Sequence, residues 1–410
     1  MPTIDEPVLI SDRLVPSRMY GSPHGPWQYG SRRFVVGVDI GSSTITTRPL
    51  YIAVFESTDG TTWTECDSSN RPLGWSGSTS TVVVTPMYAH RVDSLIWVAY
   101  PNPTTREINF TSFDMSTRTW GAVITSGPVV MDNTGPTITK RSDGSFVFVY
   151  SAPGAANNFV VYDGGWETPI TVNPFNNVGI PDGAQPLSAV LGDSDRIHVF
   201  FLYSQLVGHR VQHRSIQSDD SLGTLQYVTP IIGGTNYVGF VQYSNSEIFF
   251  PWGEAASDPG PEDAEAHLVR AASAVDPTWT DEVITPTVIG DYPAFHGLFY
   301  QSVVYSESTW HHFWCYDFDD GVTPFVNYLY RNTLTGATWG ADDLIFQETY
   351  SEADGGRLNS PYANAITSGY GIVMMRDVGS PSLRQRLHYM EFSHHCPNYV
   401  DSAAACNFVF

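Results

Sequence analysis

The sequence predicts an all-β chain folded as one seven-bladed β-propeller of four-stranded antiparallel blades. Three observations carry this expectation: an apolar strand that recurs along the whole chain, a composition suited to short strands and turns, and a tryptophan that closes a turn in most repeats.

The recurring strand reads Phe34 to Asp39 (FVVGVD), Leu95 to Tyr100 (LIWVAY), Phe146 to Tyr150 (FVFVY) and Ile197 to Tyr203 (IHVFFLY). It returns as Ile248 to Trp252 (IFFPW), His311 to Tyr316 (HHFWCY) and Gly371 to Arg376 (GIVMMR). Successive starts lie 51 to 63 residues apart, room for four short strands with extended loops.

An alternating strand follows each: Leu50 to Glu56, Ile108 to Asp114, Phe159 to Asp163, Arg210 to Ile216, Leu268 to Ser273, Asn327 to Asn332 and Leu387 to Phe392. Alternation marks a half-buried strand. An inner strand is expected ahead of the apolar one, at Thr81 to Pro86, Pro136 to Thr139, Pro186 to Leu191 and Val238 to Tyr243. Turns ending in Trp63, Trp120, Trp166, Trp279 and Trp339 lead to an edge strand, and these indoles are expected to pack one blade on the next.

The blades are placed at 13–66, 79–126, 135–173, 185–232, 236–286, 296–347 and 359–395 plus 7–12, with 396–410 as a tail. The last repeat lacks an outer strand, while Pro7 to Ser11 (PVLIS) precede the first with nothing to pair with. The N-terminal strand is therefore expected to complete the last blade and remove an exposed edge. Cys406 to Phe410 (CNFVF) competes for that place.

Hydrophobic residues make up 42% of the chain and aromatics 13%, with 35 Gly and 28 Pro, which favours many short strands joined by turns. A net charge of −22, from 42 acidic and 20 basic residues, argues against a nucleic-acid partner, which needs clustered cations. Lys140 is the one lysine; the skew to arginine fits a GC-rich genome or adaptation to high salt. Met1 to Glu6 is acidic with no apolar stretch behind it, and no run is long enough to cross a bilayer, so neither an export signal nor membrane insertion is expected.

Cys315 lies in an apolar strand and reads as an inert core thiol, whereas Cys396 and Cys406 are spaced to form a disulfide under oxidising conditions. His394, His395 and Cys396 are ligand types for zinc without a recognised spacing. His311 and His312 point to opposite faces of a strand and cannot readily share a metal.

The turn Ser57-Thr58-Asp59-Gly60-Thr61-Thr62-Trp63 resembles the Asp-box of sialidase-like (BNR-repeat) propellers. The resemblance implies that Ser57, Asp59, Gly60 and Trp63 brace a turn on the face away from any active site, with Asp59 accepting backbone N–H groups. The turn has one residue fewer between Asp and Gly than the family pattern. Arg13-Leu14-Val15-Pro16 has an extra residue relative to the family's Arg-Ile-Pro element, and no catalytic residue is carried over.

In a propeller, the loops from outer to next inner strand and from second to third strand gather on one face, where binding sites usually sit. Long loops of this kind are 40–49, 67–80, 173–185, 253–266, 288–297, 317–324 and 348–361. Trp75, Phe175, Tyr292, His296, Arg357 and Asn359 would suit a sugar, with rings to stack on and forks to bond hydroxyls. Asp317, Asp319 and Asp320 before Gly321 group hard oxygen ligands that suit calcium, the alternative being a solvated acidic turn.

The functional expectation is a non-enzymatic recognition or structural propeller in a larger assembly, such as a virion surface, tail fibre, baseplate or spike, binding a receptor or glycan. Such a protein would be oligomeric, with other assembly proteins as partners. A cytoplasmic scaffold is the alternative location. The alternative function is a glycan hydrolase, which needs two carboxylates facing each other across the channel mouth.

Overall fold

The computed structural model describes residues 7–14, 24–39, 50–75, 87–102, 104–130, 135–152, 156–174, 185–205, 208–229, 237–239, 241–254, 265–284, 295–306, 308–318, 325–335, 338–341, 343–350, 358–366, 369–377 and 385–393. The fold is a seven-bladed β-propeller of antiparallel blades, each counted from the central channel outwards.

Blade 1 comprises His24–Tyr29, Arg32–Asp39, Leu50–Ser57 and a split outer strand, Thr64–Cys66 and Leu73–Trp75. Blade 2 comprises Tyr88–Val92, Leu95–Pro101, Glu107–Asp114, and Thr119–Trp120 with Ile124–Val130. Blade 3 runs Thr137–Lys140, Phe146–Ser151, Asn157–Tyr162 and Ile170–Asn173. Blade 4 runs Gln185–Leu191, Ile197–Gln205, Gly208–Ile216 and Gln226–Tyr227. Blade 5 has an inner strand broken into Tyr237–Val238 and Gln242–Ser244, then Glu247–Glu254, Glu265–Ala272 and Thr280–Val283. Blade 6 runs Phe295–Ser306, Thr309–Phe318, Phe325–Thr335, and Thr338–Trp339 with Asp343–Tyr350. Blade 7 runs Leu358–Ile366, Gly369–Asp377 and Gln385–Ser393, and its outer strand is the N-terminal Val8–Leu14.

The closure expected from Pro7 to Ser11 is therefore present, two to three residues longer than the sequence suggests. Val8 pairs with Tyr389, Leu9 with His388, Ser11 with Leu387 and Leu14 with Gln385. Leu14 also bridges to Asp39, joining blades 7 and 1 into one continuous ladder. Cys406 to Phe410, the competing segment, lies outside the described residues, as do Cys396 and Cys406 of the expected disulfide.

Because successive strand residues point to opposite faces, each blade presents an apolar surface to both neighbours. Among the described residues the core accordingly divides into seven clusters, one per seam. The closing seam packs Ile10, Val373, Leu387 and Tyr389 of blade 7 against Val35, Ala53 and Phe55 of blade 1. Cys315 is wholly buried in the seam between blades 6 and 7, as a core thiol should be.

The turn tryptophans reach back to the preceding blade. Trp166 Nε1 donates to the Thr125 carbonyl, Trp279 Nε1 to Gln226 Oε1 and Trp339 Nε1 to Glu282 Oε2. Trp63 packs edge-on against Tyr389 at 5.0 Å. Blade 4 has no such tryptophan: Leu222 bridges to Ile216 as Trp166 bridges to Tyr162, and Arg214 donates to the Val172 carbonyl of blade 3 instead.

In the Ser57 to Trp63 turn, Asp59 Oδ1 accepts the backbone N–H groups of Thr61 and Thr62 at 2.8 and 2.7 Å. These bonds, with one from Ser57, hold the Asp59 carboxyl well below the usual carboxylate range. Asp59 is a turn brace.

One inner strand differs from expectation. The run Thr81 to Pro86 lies outside the described residues, and the inner strand of blade 2 is Tyr88–Val92. No helix among the described residues is long and apolar enough to cross a membrane.

Candidate functional site at the cleft between blades 3 and 4

The seam between blades 3 and 4 is apolar below and polar above. Val147, Val149, Phe159, Val161 and Val172 of blade 3 pack on Ile197, Val199, Phe201 and Ile216 of blade 4. The same faces continue upward, by strand alternation, to Ser151 and Asn157 on one side and to Tyr203, Arg210 and Gln212 on the other, and a register shift at Val172 brings Asn173 opposite Asn157.

Register brings these residues together. Ser151 lies opposite Asn157, and Asn157 opposite Asn173. Tyr203 faces Arg210 on the neighbouring strand, and Gln212 faces Tyr227 on the outer strand. Ser151 Oγ donates to Asn157 Oδ1 at 2.7 Å, and Asn173 Nδ2 crosses the seam to Gln212 Oε1 at 2.8 Å. Asn157, Asn173 and Gln212 are all buried, so they form a fixed polar floor.

Above the floor is an aromatic and cationic rim. The Arg210 guanidinium carbon sits 4.8 Å from the centre of the Tyr227 ring, and the Tyr203 ring is 6.4 Å from that of Tyr227. Tyr227 is 47% exposed, which opens the rim to solvent. Arg210 forms no ion pair among the described residues, although acids outnumber bases by 42 to 20 in the chain.

Two buried donors in this cleft, Gln212 Nε2 and Arg210 Nε, have no hydrogen-bond partner among the described residues. Buried donors are rarely left unpaired, because each costs about 1–3 kcal/mol. An acceptor entering the cleft could pair with both.

A second polar cluster lies in the seam between blades 4 and 5 but is closed. Trp252 stacks on His267 at 4.0 Å and donates to Asp281 Oδ1 at 3.2 Å, and the two rings are 1% and 7% exposed. It reads as a packed support. Likewise His312 is a core residue bonded to Gln301 Oε1 at 2.7 Å, while its neighbour His311 is half-buried against Tyr370 on the opposite face.

Of the residues expected to bind a sugar, Phe175, Tyr292 and Arg357 lie outside the described residues. Trp75 ends the outer strand of blade 1 opposite Leu50, His296 is second in the inner strand of blade 6, and Asn359 lies opposite Met375 in blade 7. These are backbone positions on three consecutive blades. Of the proposed calcium ligands, Asp317 belongs to the strand Thr309–Phe318, opposite Asn327, while Asp319 and Asp320 lie outside the described residues. Among the described residues no group of three His, Cys, Asp or Glu could hold a metal ion.

No protein-family profile matches the chain, and no curated protein sequence does. Among solved structures, an ulvan lyase of polysaccharide lyase family PL25 is similar at a TM-score of 0.56 and 10% identity, over 92% of this chain and 94% of that one. The polysaccharide lyase Uly1 (TM-score 0.41, 9% identity, 77% of this chain and 91% of that one) is more distantly similar. So is the Aleuria aurantia lectin AAL (TM-score 0.41, 14% identity, 77% and 92%). At these identities the likeness is one of fold.

Proposed function

We propose that this protein is a carbohydrate-recognition β-propeller whose sugar site is the cleft between blades 3 and 4. The observation that carries the reading is the pair of buried donors without a partner among the described residues, Gln212 Nε2 and Arg210 Nε, beneath an open rim of Tyr203 and Tyr227. Tyrosine rings suit the C–H face of a pyranose, and the amide floor suits its hydroxyls. A guanidinium with no ion pair among the described residues favours a sugar bearing a carboxylate or sulfate, which Arg can grip with two parallel bonds. That the similar PL25 structure is named a polysaccharide lyase is in keeping with a saccharide ligand.

The alternative is catalytic. A hydrolase needs two opposed carboxylates, whereas the described cleft offers phenols, amides, a hydroxyl and a guanidinium. Tyr203 opposite Arg210 instead favours elimination from a uronate: the Tyr203 oxygen takes the C5 proton and passes a proton to the departing C4 oxygen as the C4–O bond breaks and the C4–C5 double bond forms, while Arg210 neutralises the carboxylate. We propose further that the propeller serves as a recognition part of a larger assembly, with a virion surface or tail as the favoured setting; finding the chain in purified particles by mass spectrometry tests this.

Binding is tested by a glycan array followed by calorimetry. Wild type should bind acidic glycans, and Arg210→Ala should weaken binding at least about tenfold, equivalent to about 1.4 kcal/mol. Absence of any glycan ligand, or an unchanged affinity in Arg210→Ala, would contradict the assignment. Appearance of unsaturated uronate absorbance during incubation would establish the catalytic alternative.

A further inference from the structure

On the outer wall, between the outer strands of blades 5 and 6, lies a recess of about 590 Å³. Its size falls within the about 300–1,000 Å³ typical of small-molecule sites. One side is formed by Glu282 and Val283, the other by Thr338, Trp339 and Gly340. Val283 is 51% exposed and Thr338 and Gly340 are exposed, so the recess is open.

Its turn tryptophan differs from those of blades 1, 3 and 5. Trp63, Trp166 and Trp279 donate their indole N–H groups to uncharged oxygens, whereas Trp339 Nε1 donates to the Glu282 carboxylate at 2.8 Å. Arg270 holds the other Glu282 oxygen at 2.8 Å. The carboxylate is thus fixed in orientation at the edge of the Trp339 indole, which lines the recess, and each oxygen keeps a further lone pair for an incoming donor. The same four residues, Thr-Trp-Gly-Ala, occur at Thr119 to Ala122 in blade 2, where Asp67 of blade 1 accepts the Trp120 backbone N–H.

We infer that this recess is a second saccharide site, selective for a neutral sugar. An indole in the lining with a fixed acceptor at its edge suits a pyranose, whose apolar C–H groups would contact the ring while adjacent hydroxyls donate to the carboxylate. The carboxylate and the net charge of −22 disfavour an anionic ligand here, the reverse of the preference expected at Arg210. The site is independent of the cleft between blades 3 and 4. A glycan polymer carrying both kinds of sugar would engage two sites on one ring, with a gain in avidity.

The test is saturation-transfer NMR on the full chain with the methyl glycosides of glucose, galactose, mannose and N-acetylglucosamine as probes. At least one should receive saturation. Glu282→Gln, which keeps an acceptor for Trp339, should weaken that binding at least about tenfold, by analogy with truncated interface contacts. Gly340→Val should block the recess, since a Cβ there meets nothing nearer than the Thr333 carbonyl oxygen at 3.4 Å and the backbone need not move. Arg210→Ala should leave neutral-sugar binding unchanged, which separates failure here from failure of the cleft assignment. No transfer to any probe, or transfer undiminished in a folded Gly340→Val protein, overturns the inference.

Discussion

Arg33 and Glu391, 358 residues apart in sequence, are bound across the closing seam, with the Arg33 terminal nitrogen 2.6 Å from Glu391 Oε1. Both side chains are 9% exposed, and Tyr389 donates to the other Glu391 oxygen at 2.8 Å. The pair sits in the seam where the N-terminal strand completes blade 7, so it ties the first full blade to the last.

Removing one partner of a buried ion pair leaves the other charge uncompensated. Glu391→Ala should lower unfolding free energy by about 3–5 kcal/mol. Deleting residues 1–12 should destabilise the ring further, because it removes the Val8 to Ser11 pairing and the Ile10 contact. Thermal denaturation checks both; a truncated protein that melts with wild type would refute closure by this strand.

Gly239 should not tolerate a side chain. A Cβ there would lie 1.9 Å from the Gln301 carbonyl oxygen, where blade 5 enters against the inner strand of blade 6. Backbone cannot yield as a flexible side chain can, so Gly239→Ala should cost about 1–3 kcal/mol or more. A chemical denaturation midpoint equal to wild type would show that the two strands do not approach this closely.

Stability should fall as pH drops below 6.5. Burial pushes His24, His198 and His312 down to about 3 and His213 well below its usual value, while burial and then Lys140 push His90 down to about 4. Between those values and 6.5 the unfolded chain takes up protons that the folded chain refuses, so acid favours unfolding. Each fully buried histidine contributes a slope of up to about 1.4 kcal/mol per pH unit. His312→Gln should make the slope shallower by about one such increment. Denaturant unfolding followed from neutral to acid pH decides this, and a flat profile above about pH 4.5 would be incompatible with neutral buried histidines.

Much of the fold was legible because a propeller repeats one packing problem seven times, and the second strand of every blade advertises it. All seven apolar runs, from Phe34 to Asp39 through Gly371 to Arg376, fall within second strands. The inner strand of blade 2 was missed because Thr81 to Val84 has strong β-propensity, whereas Tyr88–Val92 contains His90 and Arg91 and is held in place by its neighbours. Leu222 hid the turn of blade 4 by replacing the tryptophan marker.

The cleft was illegible for a different reason. Sequence reasoning looks for sites in long loops, but Tyr203, Arg210 and Tyr227 lie on three neighbouring strands and meet only through register. One signal was available: Tyr203 continues the face of Val199 and Phe201, so a tight turn after it would place Arg210 opposite. No linear motif records that relationship.

The most direct test of the cleft assignment is a crystal structure of the protein with the tightest acidic oligosaccharide from the array. The expected result is a sugar ring over Tyr227, with its anionic group on Arg210 and an oxygen accepting from Gln212 Nε2. Saccharide density elsewhere on the ring, with this cleft holding only solvent, would contradict the assignment.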